Sequence, residues 1–234
     1  MSHRRAAFTL IELLIMVSIL SLLAALLFPV FARSRENARR SSCASNLRQI
    51  GVATLQYAQD YDQTMVPFSN HGFLGYNGAD GPRWADFIFP YVKTPQVFDC
   101  PNAPLKTTQY PGGQYFDIRT YSYGITVPSL NRAIGVAGRP LSEIEDTAGT
   151  LMFVEDGREE ESGVETKGRL VPVLGESLEI LSSRLDGSRH TGSALTDINA
   201  YAFNALYTDG HVKWTGILQT WRGGAMQPWT VAAD

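Results

Sequence analysis

Histidine and carboxylate side chains are the residues of this sequence best suited to hold a metal ion. Imidazole and carboxylate ligands suit zinc and related ions, and a metal-dependent hydrolase built on His190 and His211 is one interpretation of the C-terminal part. The better interpretation is that Asp209 serves a turn and that His211 begins the strand after it. The sequence therefore predicts no metal site, and it leaves four weak candidate ligands: Glu155, Asp156, His190 and Asp209.

Other enzyme chemistry finds little support in the sequence. Ser122 lacks the first glycine of a nucleophile elbow, and Gly223-Gly224 is too short for a phosphate-binding loop. The acidic runs 155–157 and 159–161 could bind calcium, although neither has EF-hand spacing. We expect a protein that is not an enzyme, has no catalytic residue, and has Ca²⁺ as its one conceivable cofactor.

The two cysteines, Cys43 and Cys100, allow two interpretations. A bridge between them would close a loop of about 57 residues and stabilise the fold by about 4 kcal/mol in the chain-entropy model. Two buried free thiols are the alternative. The sequence has no second cysteine pair and no CxxC, so it does not favour a zinc–thiolate site.

The charge of the chain is divided unevenly between its first fifty residues and the rest. The 234 residues carry a formal charge of −3 and are 44% hydrophobic, which excludes an intrinsically disordered protein. Residues 1–50 hold seven arginines and two glutamates, a charge of +5, so residues 51–234 sum to −8. This asymmetry predicts a basic N-terminal part and an acidic body.

An uncharged run of twenty residues, 13–32, lies inside the basic part. A helix of that length spans roughly 30 Å, the thickness of the hydrocarbon core of a bilayer. A secretory signal peptide cleaved after Ala32 would have a shorter apolar region without Glu12. A plain signal anchor explains the run but gives Glu12 no role.

The segment Ala7-Phe8-Thr9-Leu10-Ile11-Glu12, followed by the apolar run, resembles the N-terminus of type IV prepilins and type II secretion pseudopilins. This resemblance implies that a membrane-embedded prepilin peptidase cuts between Ala7 and Phe8 and methylates the new amine of Phe8. The family usually has glycine before the cut, so Ala7 is a departure. Pro29 matches the helix-bending proline of the family.

The resemblance also gives Glu12 a role in assembly. A carboxylate inside a spanning helix costs up to about 2.5–3.5 kcal/mol at mid-bilayer, so it needs a partner. The implied partner is the α-amine of Phe8 on a neighbouring subunit, a pair that would fix the axial register. In an unassembled subunit Glu12 could instead reach the headgroup region.

The arginines around the apolar run point to the opposite orientation. Four follow the run and only two precede it, which by the positive-inside rule places the body in the cytoplasm. The resemblance places the body outside, and an oxidising compartment there favours a Cys43–Cys100 disulfide. We therefore predict a single-pass protein of the bacterial inner membrane with its head outside the cytoplasm, and a periplasmic or cell-surface filament after assembly.

A helical pattern continues beyond the apolar run. Residues recur at spacings of three and four on one face of a helix that could extend from about Thr9 to Tyr61. The residues of this stripe are Cys43, Leu47, Ile50, Thr54, Tyr57 and Tyr61. We predict a leader peptide at 1–7, a transmembrane helix at 8–32, an amphipathic helix at 33–62 and a globular β-rich head at 63–234.

Strand signals follow in the head. Residues 121–125 and 150–154 are predicted strands, 158–189 an exposed excursion, and 201–214 a hairpin that turns at Asp209-Gly210. The chain also resembles one large pilin-like family, many of whose members carry a C-terminal signature of His, nine residues and Asp-Gly. The motifs that carry this resemblance are Cys43…Asn46-Leu47-Arg48-Gln49-Ile50-Gly51, Trp84…Pro90-Tyr91, Phe98…Cys100-Pro101 and Tyr207…Asp209-Gly210-His211-Val212. Here His190 precedes Asp209 by eighteen intervening residues, so the spacing departs from the signature. The predicted fold class is α+β and pilin-like, a long N-terminal helix packed on an antiparallel sheet.

The resulting functional hypothesis is a filament subunit, more type II secretion-like than adhesive or motile. Its implied partners are other pilin or pseudopilin subunits, prepilin peptidase, an inner-membrane assembly platform and the membrane. Nucleic acid is not expected as a partner, because the arginines lack nearby aromatic residues. The alternative is a secreted or membrane-anchored binding domain that would use its four tryptophans: Trp84, Trp214, Trp221 and Trp229.

Overall fold

The first helix, α1, includes 51 residues, Leu10–Asp60. The computed structural model of the chain describes residues 9–68, 82–92, 94–102, 122–126, 135–155, 169–170, 190 and 200–220. The chain is divided into two compact units, Met1–Ala38 and Arg39–Asp234. Helix α1 contributes residues to both. The predicted helix limits of Thr9 and Tyr61 agree with the structure to within one residue at each end.

The ends of α1 follow from local chemistry. Thr9 and Glu12 form a capping box: the Glu12 amide donates to Thr9 Oγ1 (3.3 Å), and Glu12 Oε2 accepts from the Thr9 amide (2.8 Å). At the other end Asp62 and Gln63 have φ of 49° and 57°, so the chain leaves the helix in the left-handed region. The Gln63 amide donates to the Ala58 carbonyl (2.8 Å) and closes the last turn.

The second half of α1 buries one face in the head. Five of the six residues of the predicted stripe are buried, and Gly51, Ala53 and Ala58 join them. Tyr61, the sixth, is wrongly predicted: it is 54% exposed, because the helix ends at Asp60. Its ring stacks on that of Tyr57 with 4.2 Å between centroids.

Five strands form one sheet in the order β3-β1-β2-β4-β5. β1, β2, β4 and β5 pair antiparallel, which confirms the predicted sheet, and β4 and β5 form the predicted hairpin with Gly210 at φ 93°. β3 pairs parallel to β1 and lies within the segment predicted as an exposed excursion, so this segment returns to the sheet at one point. The strands are β1 (Tyr123–Thr126), β2 (Leu151–Glu155), β3 (Arg169–Leu170), β4 (Ala202–Tyr207) and β5 (Val212–Gly216).

One face of the sheet receives α1. Register places Tyr123 opposite Glu155 and Phe153 opposite Leu206, so these side chains share a face. Gly51 of α1 lies against Leu206: a Cβ on this glycine would approach Leu206 Cδ1 to 2.9 Å. The helix can sit this close to the sheet because residue 51 has no side chain.

A short second helix, α2 (Trp84–Val92), completes the core beside α1. Trp84 is fully buried, and its ring lies 5.5 Å from that of Phe98 and 4.8 Å from that of Phe153. Phe87 of the same helix lies 6.3 Å from Tyr57 of α1, ring centroid to ring centroid. The two edge-on pairs of Trp84 join α2, the 3-10 helix Pro95–Phe98 and β2 in one apolar cluster.

Candidate functional site

The N-terminal site predicted from the sequence lies at the beginning of α1. Ala7 and Phe8, the predicted cleavage and methylation residues, lie outside the described residues. Glu12 accepts hydrogen bonds from the amide and the hydroxyl of Thr9, both at 2.8 Å. Within one chain, therefore, the carboxylate already has a local partner, and its side chain lies in the first turn of the helix.

The rest of the apolar segment has little polarity to satisfy. Pro29, which the resemblance identifies as a helix-bending proline, lies inside α1. Ser18 and Ser21 donate their hydroxyls to the carbonyls of Ile15 and Val17, both at 2.8 Å. By length and composition α1 could cross a membrane. An N-terminal segment of this kind fits membrane anchoring.

The second site is a buried polar cluster where α1 meets one end of the sheet. Cys43 of α1 and Cys100 form a disulfide, with 5.1 Å between their Cα atoms, and this confirms the predicted bridge. The Cys100 amide donates to Ser122 Oγ (2.9 Å), and the Tyr123 hydroxyl lies 3.4 Å from the Cys43 carbonyl. The disulfide thus joins α1 to the segment that leads into β1.

His190 and Glu155 lie directly beside this disulfide. His190 Nε2 is 3.6 Å from Cys100 Sγ and 3.1 Å from Glu155 Oε1, and both side chains are fully buried. Asn204 of β4 holds the Glu155 carboxylate with two donors, its amide to Oε2 (3.0 Å) and its Nδ2 to Oε1 (2.9 Å). A buried carboxylate with three partners is a fixed group in this core.

The cluster also binds the helix backbone to the sheet. Asn204 Nδ2 lies within hydrogen-bond distance of the Arg40 carbonyl (3.3 Å), and the Arg40 guanidinium sits 4.7 Å from the centre of the Trp214 ring. Trp214 in turn packs edge-on against His190, with 6.1 Å between centroids. Arg40, one of the four arginines that follow the apolar run, therefore makes a cation–π contact with the head.

The other candidate ligands are placed elsewhere. Asp209 Oδ1 pairs with His211 Nδ1 (2.6 Å) at the turn between β4 and β5, where both side chains are partly exposed. This turn is next to Thr150, at the start of β2, whereas His190 contacts Glu155 at its end. The five residue steps from Thr150 to Glu155 correspond to about 17 Å of extended strand. His190 and Asp209 thus belong to different places, and Asp156 lies outside the described residues.

The sequence did not reveal that the predicted disulfide and two of the weak metal-ligand candidates lie in the same buried cluster. Sequence reasoning treated Cys43 and Cys100 as a bridge, and Glu155 and His190 as weak metal ligands, but these four residues form a single cluster whose ligand atoms all lie within 4.8 Å of one another. It did not single out Asn204. The one available signal was an uncharged amide and a carboxylate in otherwise apolar strands.

Two family models match the chain. The prokaryotic N-terminal methylation motif matches residues 2–28, and a protein family of unknown function, DUF1559, matches residues 32–112. No curated protein and no solved structure matches the chain significantly. The first match covers the segment that resembles a prepilin N-terminus and is consistent with the type IV pilin-like prepilin family. The second covers the junction between the apolar segment and the head, including both cysteines.

Proposed function

We propose that this chain, which carries a prepilin-type methylation motif at its N-terminus, is a structural filament subunit and not an enzyme. Among filament subunits, we favour a type II secretion-like pseudopilin over an adhesive or motility pilin. The head, with about 170 residues beyond α1, is large for a repeating major subunit, and this leans toward a specialised one. The partners would be other subunits, the prepilin peptidase and an inner-membrane assembly platform.

The observation that carries this proposal is the apolar surface of the first half of α1. Its large hydrophobic side chains, from Leu10 at 83% exposed to Phe31 at 68%, are uncovered on every side of the helix. Removing one such side chain from water is worth roughly 1.5–3 kcal/mol. Only an apolar surrounding can satisfy a helix of this kind: a bilayer first, and equivalent helices of other subunits after assembly.

The orientation with the head outside the cytoplasm is part of the proposal. The Cys43–Cys100 disulfide supports it, because disulfides persist in oxidising compartments. The contacts of Arg39 and Arg40 support it too. Arg39 pairs with Asn102 (2.6 Å) and Arg40 with Trp214, so two of the arginines that argue for the opposite orientation serve the fold.

The mature N-terminus tests the proposal. The full-length chain is expressed in a bacterium that has a prepilin peptidase and one that lacks it, and its terminus is read by mass spectrometry. We expect N-methylated Phe8 in the first host and an intact N-terminus in the second. A terminus at Arg33 would instead indicate ordinary secretion, and an uncleaved chain in both hosts would indicate a plain anchor.

Substitution of Glu12 tests the assembly step separately from processing. Glu12→Leu removes the carboxylate that would pair with the Phe8 amine of a neighbour, so we expect normal insertion and cleavage but loss of incorporation into filaments. Ser18→Leu is the matched control, because it also replaces a polar residue of the span and leaves the carboxylate in place. Normal incorporation of Glu12→Leu would contradict the role in register.

The competing class, an extracytoplasmic binding domain, loses one of its main residues. Trp84 is fully buried between Phe98 and Phe153, so its ring is not available to an external ligand. Trp214 lies under the Arg40 guanidinium, and Trp221 and Trp229 lie outside the described residues. We therefore do not advance this class as a second function.

A further inference from the structure

We propose that the reduced chain binds one Zn²⁺ ion at Cys43, Cys100, His190 and Glu155, so that the disulfide and the metal are alternative fastenings of α1 to the sheet. This inference concerns residues of the unit Arg39–Asp234 and does not depend on the proposed filament role. The four ligand atoms lie within 4.8 Å of one another, and all four residues are buried.

The donor set is the first argument. Zinc prefers cysteine sulfur and histidine nitrogen, accepts a carboxylate oxygen, and takes four ligands in tetrahedral structural sites. Two thiolates, one imidazole and one carboxylate supply four donors with a total charge of −3, which a divalent cation largely neutralises. Calcium and magnesium prefer oxygen ligands and fit this set poorly.

The distances are the second argument. An ideal tetrahedron with zinc bond lengths has about 3.6 Å between a nitrogen and a sulfur ligand and about 3.4 Å between a nitrogen and an oxygen ligand. His190 Nε2 lies 3.6 Å from Cys100 Sγ and 3.1 Å from Glu155 Oε1. Both distances from His190 Nε2 are thus already close to the required values. The two sulfurs must separate to about 3.8 Å after the bond between them is reduced.

The surrounding hydrogen bonds are the third argument. Asn204 donates to both oxygens of Glu155 and so fixes the carboxylate next to the imidazole. Such partners orient metal ligands, and losing one typically lowers metal affinity by about 10- to 100-fold. The same asparagine lies 3.3 Å from the Arg40 carbonyl, so this support reaches α1 itself.

The chemistry balances with a dithiol as the reductant, or with a phosphine, which takes its oxygen from water to become a phosphine oxide while the two protons of that water go to the thiols. In the dithiol case two electrons and two protons pass to the Cys43–Cys100 bridge, which becomes two thiols while the dithiol becomes a disulfide. Zinc then binds both sulfurs as thiolates and releases two protons to solvent. His190 coordinates through Nε2, which requires its remaining ring proton to be on Nδ1.

Metal titration of the full-length chain in detergent micelles tests the site. The protein is titrated with Co²⁺ and then Zn²⁺, once oxidised and once after reduction by a phosphine. We expect the reduced chain to bind one equivalent of Co²⁺, with thiolate charge-transfer absorption and the visible bands of a tetrahedral ion, and Zn²⁺ to displace it. The oxidised chain should show neither signal.

Variants identify the ligands. We expect His190→Ala and Glu155→Gln to lower zinc affinity about tenfold or more, and Cys43→Ser with Cys100→Ser to abolish the charge-transfer band. His211→Ala is the matched control, since His211 also pairs with a carboxylate but lies at the distant turn. Equal metal binding by oxidised and reduced chains, or unchanged affinity in His190→Ala, would overturn the proposal.

Circular dichroism keeps the test decisive if reduction loosens the fold. A reduced chain that unfolds without metal and regains its spectrum with stoichiometric zinc supports the site, because zinc binding then drives folding. A reduced chain that stays unfolded at saturating zinc contradicts it, as does one that is folded but binds no metal.

Discussion

The two halves of α1 have the same backbone structure and opposite surroundings. In residues 10–38 the large apolar side chains are exposed, and the described hydrogen bonds of this half are local. In residues 39–60 one face is buried against the head, and the helix is tied to it by a disulfide and by side-chain bonds from both sides. One continuous helix is thus stabilised in two different ways.

This difference shows which half of α1 is stabilised by contacts within the single chain and which half needs other molecules around it. The second half packs against the sheet of the same chain, so contacts within the single chain stabilise it. The first half has an apolar surface that the described residues do not cover. A bilayer or an assembly of subunits must therefore stabilise it. Substitutions in the two halves should therefore change different measurements.

Loss of the disulfide should have the largest effect on the head and none on the first half. Cys43→Ser with Cys100→Ser reopens a loop of 57 residues, and we expect the free energy of unfolding of the head to fall by about 4 kcal/mol. Denaturant titration of the full-length chain in micelles, followed by near-UV circular dichroism, measures this change. Membrane insertion, measured by alkali extraction, should stay normal.

Ser45→Ala is the control for the disulfide, because it changes an exposed residue on the same stretch of α1. A double serine variant as stable as the wild type would show that the bridge is not a main fastening of the helix. A variant that no longer inserts would show that the two halves of α1 are coupled and not independent.

Gly51 tests the close approach of α1 to the sheet. A side chain at position 51 must displace Leu206, which is itself fully buried, so Gly51→Leu should destabilise the head by about 1–3 kcal/mol through overpacking. Ala25→Leu makes a comparable enlargement in the exposed half and should leave unfolding of the head unchanged. Equal effects of the two variants would remove the distinction between the halves.

The sequence predicted those parts of the fold that local patterns determine. The spacing of Cys43, Leu47 and Ile50 identified the buried face of α1, and Asp209-Gly210 identified the turn of the last hairpin. Both signals lie within a few residues of the element that they describe. The prediction was wrong for Tyr61 because this residue follows the last residue of the helix, Asp60.

The buried cluster could not be predicted, because sequence separation hides it. His190 is 90 residues from Cys100 and 35 from Glu155, and only the topology of the sheet brings them together. Helix α2 was not predicted either: its nine residues are dense in aromatics and contain Pro90, so local propensity gives no clear helix signal. Local patterns thus found the framework and not the site.

Asp86 makes the head, and not the apolar half, sensitive to pH. Burial raises the pKa of Asp86 above its ordinary value of 3.8, although the backbone amide of Arg83, which donates to Oδ2 (2.7 Å), and the charge of that residue oppose the shift. The folded state therefore binds this proton more tightly, and stability falls as pH rises from the unfolded pKa through the folded one. Asp86→Asn keeps an acceptor for the amide and should stabilise the head at neutral pH.

The increase for Asp86→Asn should be smaller than the loss in Gly51→Leu, and thermal unfolding at neutral and acidic pH measures it. Below the unfolded pKa the carboxyl is protonated in both states, so the difference from wild type should disappear there. A gain that persists unchanged at low pH would mean that burial of charge is not its cause. Residues 13–32 carry no titratable charge and should add nothing to this dependence.

The smallest effect concerns the last residue of α1 and completes the comparison of its two ends. Glu12 in the first turn is favoured by the helix dipole, whereas Asp60 lies at the negative end, where the dipole disfavours a carboxylate. Tyr91 donates its hydroxyl to Asp60 (2.6 Å), and this bond raises the pKa of Tyr91 to about 12. The associated stability is present below the ordinary value of 10.0 and is lost as pH rises through about 12.

In Asp60→Asn the pKa of Tyr91 should fall toward that ordinary value, measured by NMR of ¹³C-labelled tyrosine, while Asp62→Asn should leave it in place. If Tyr91 kept its raised pKa without the carboxylate, burial would be the cause and the end of α1 would need no partner.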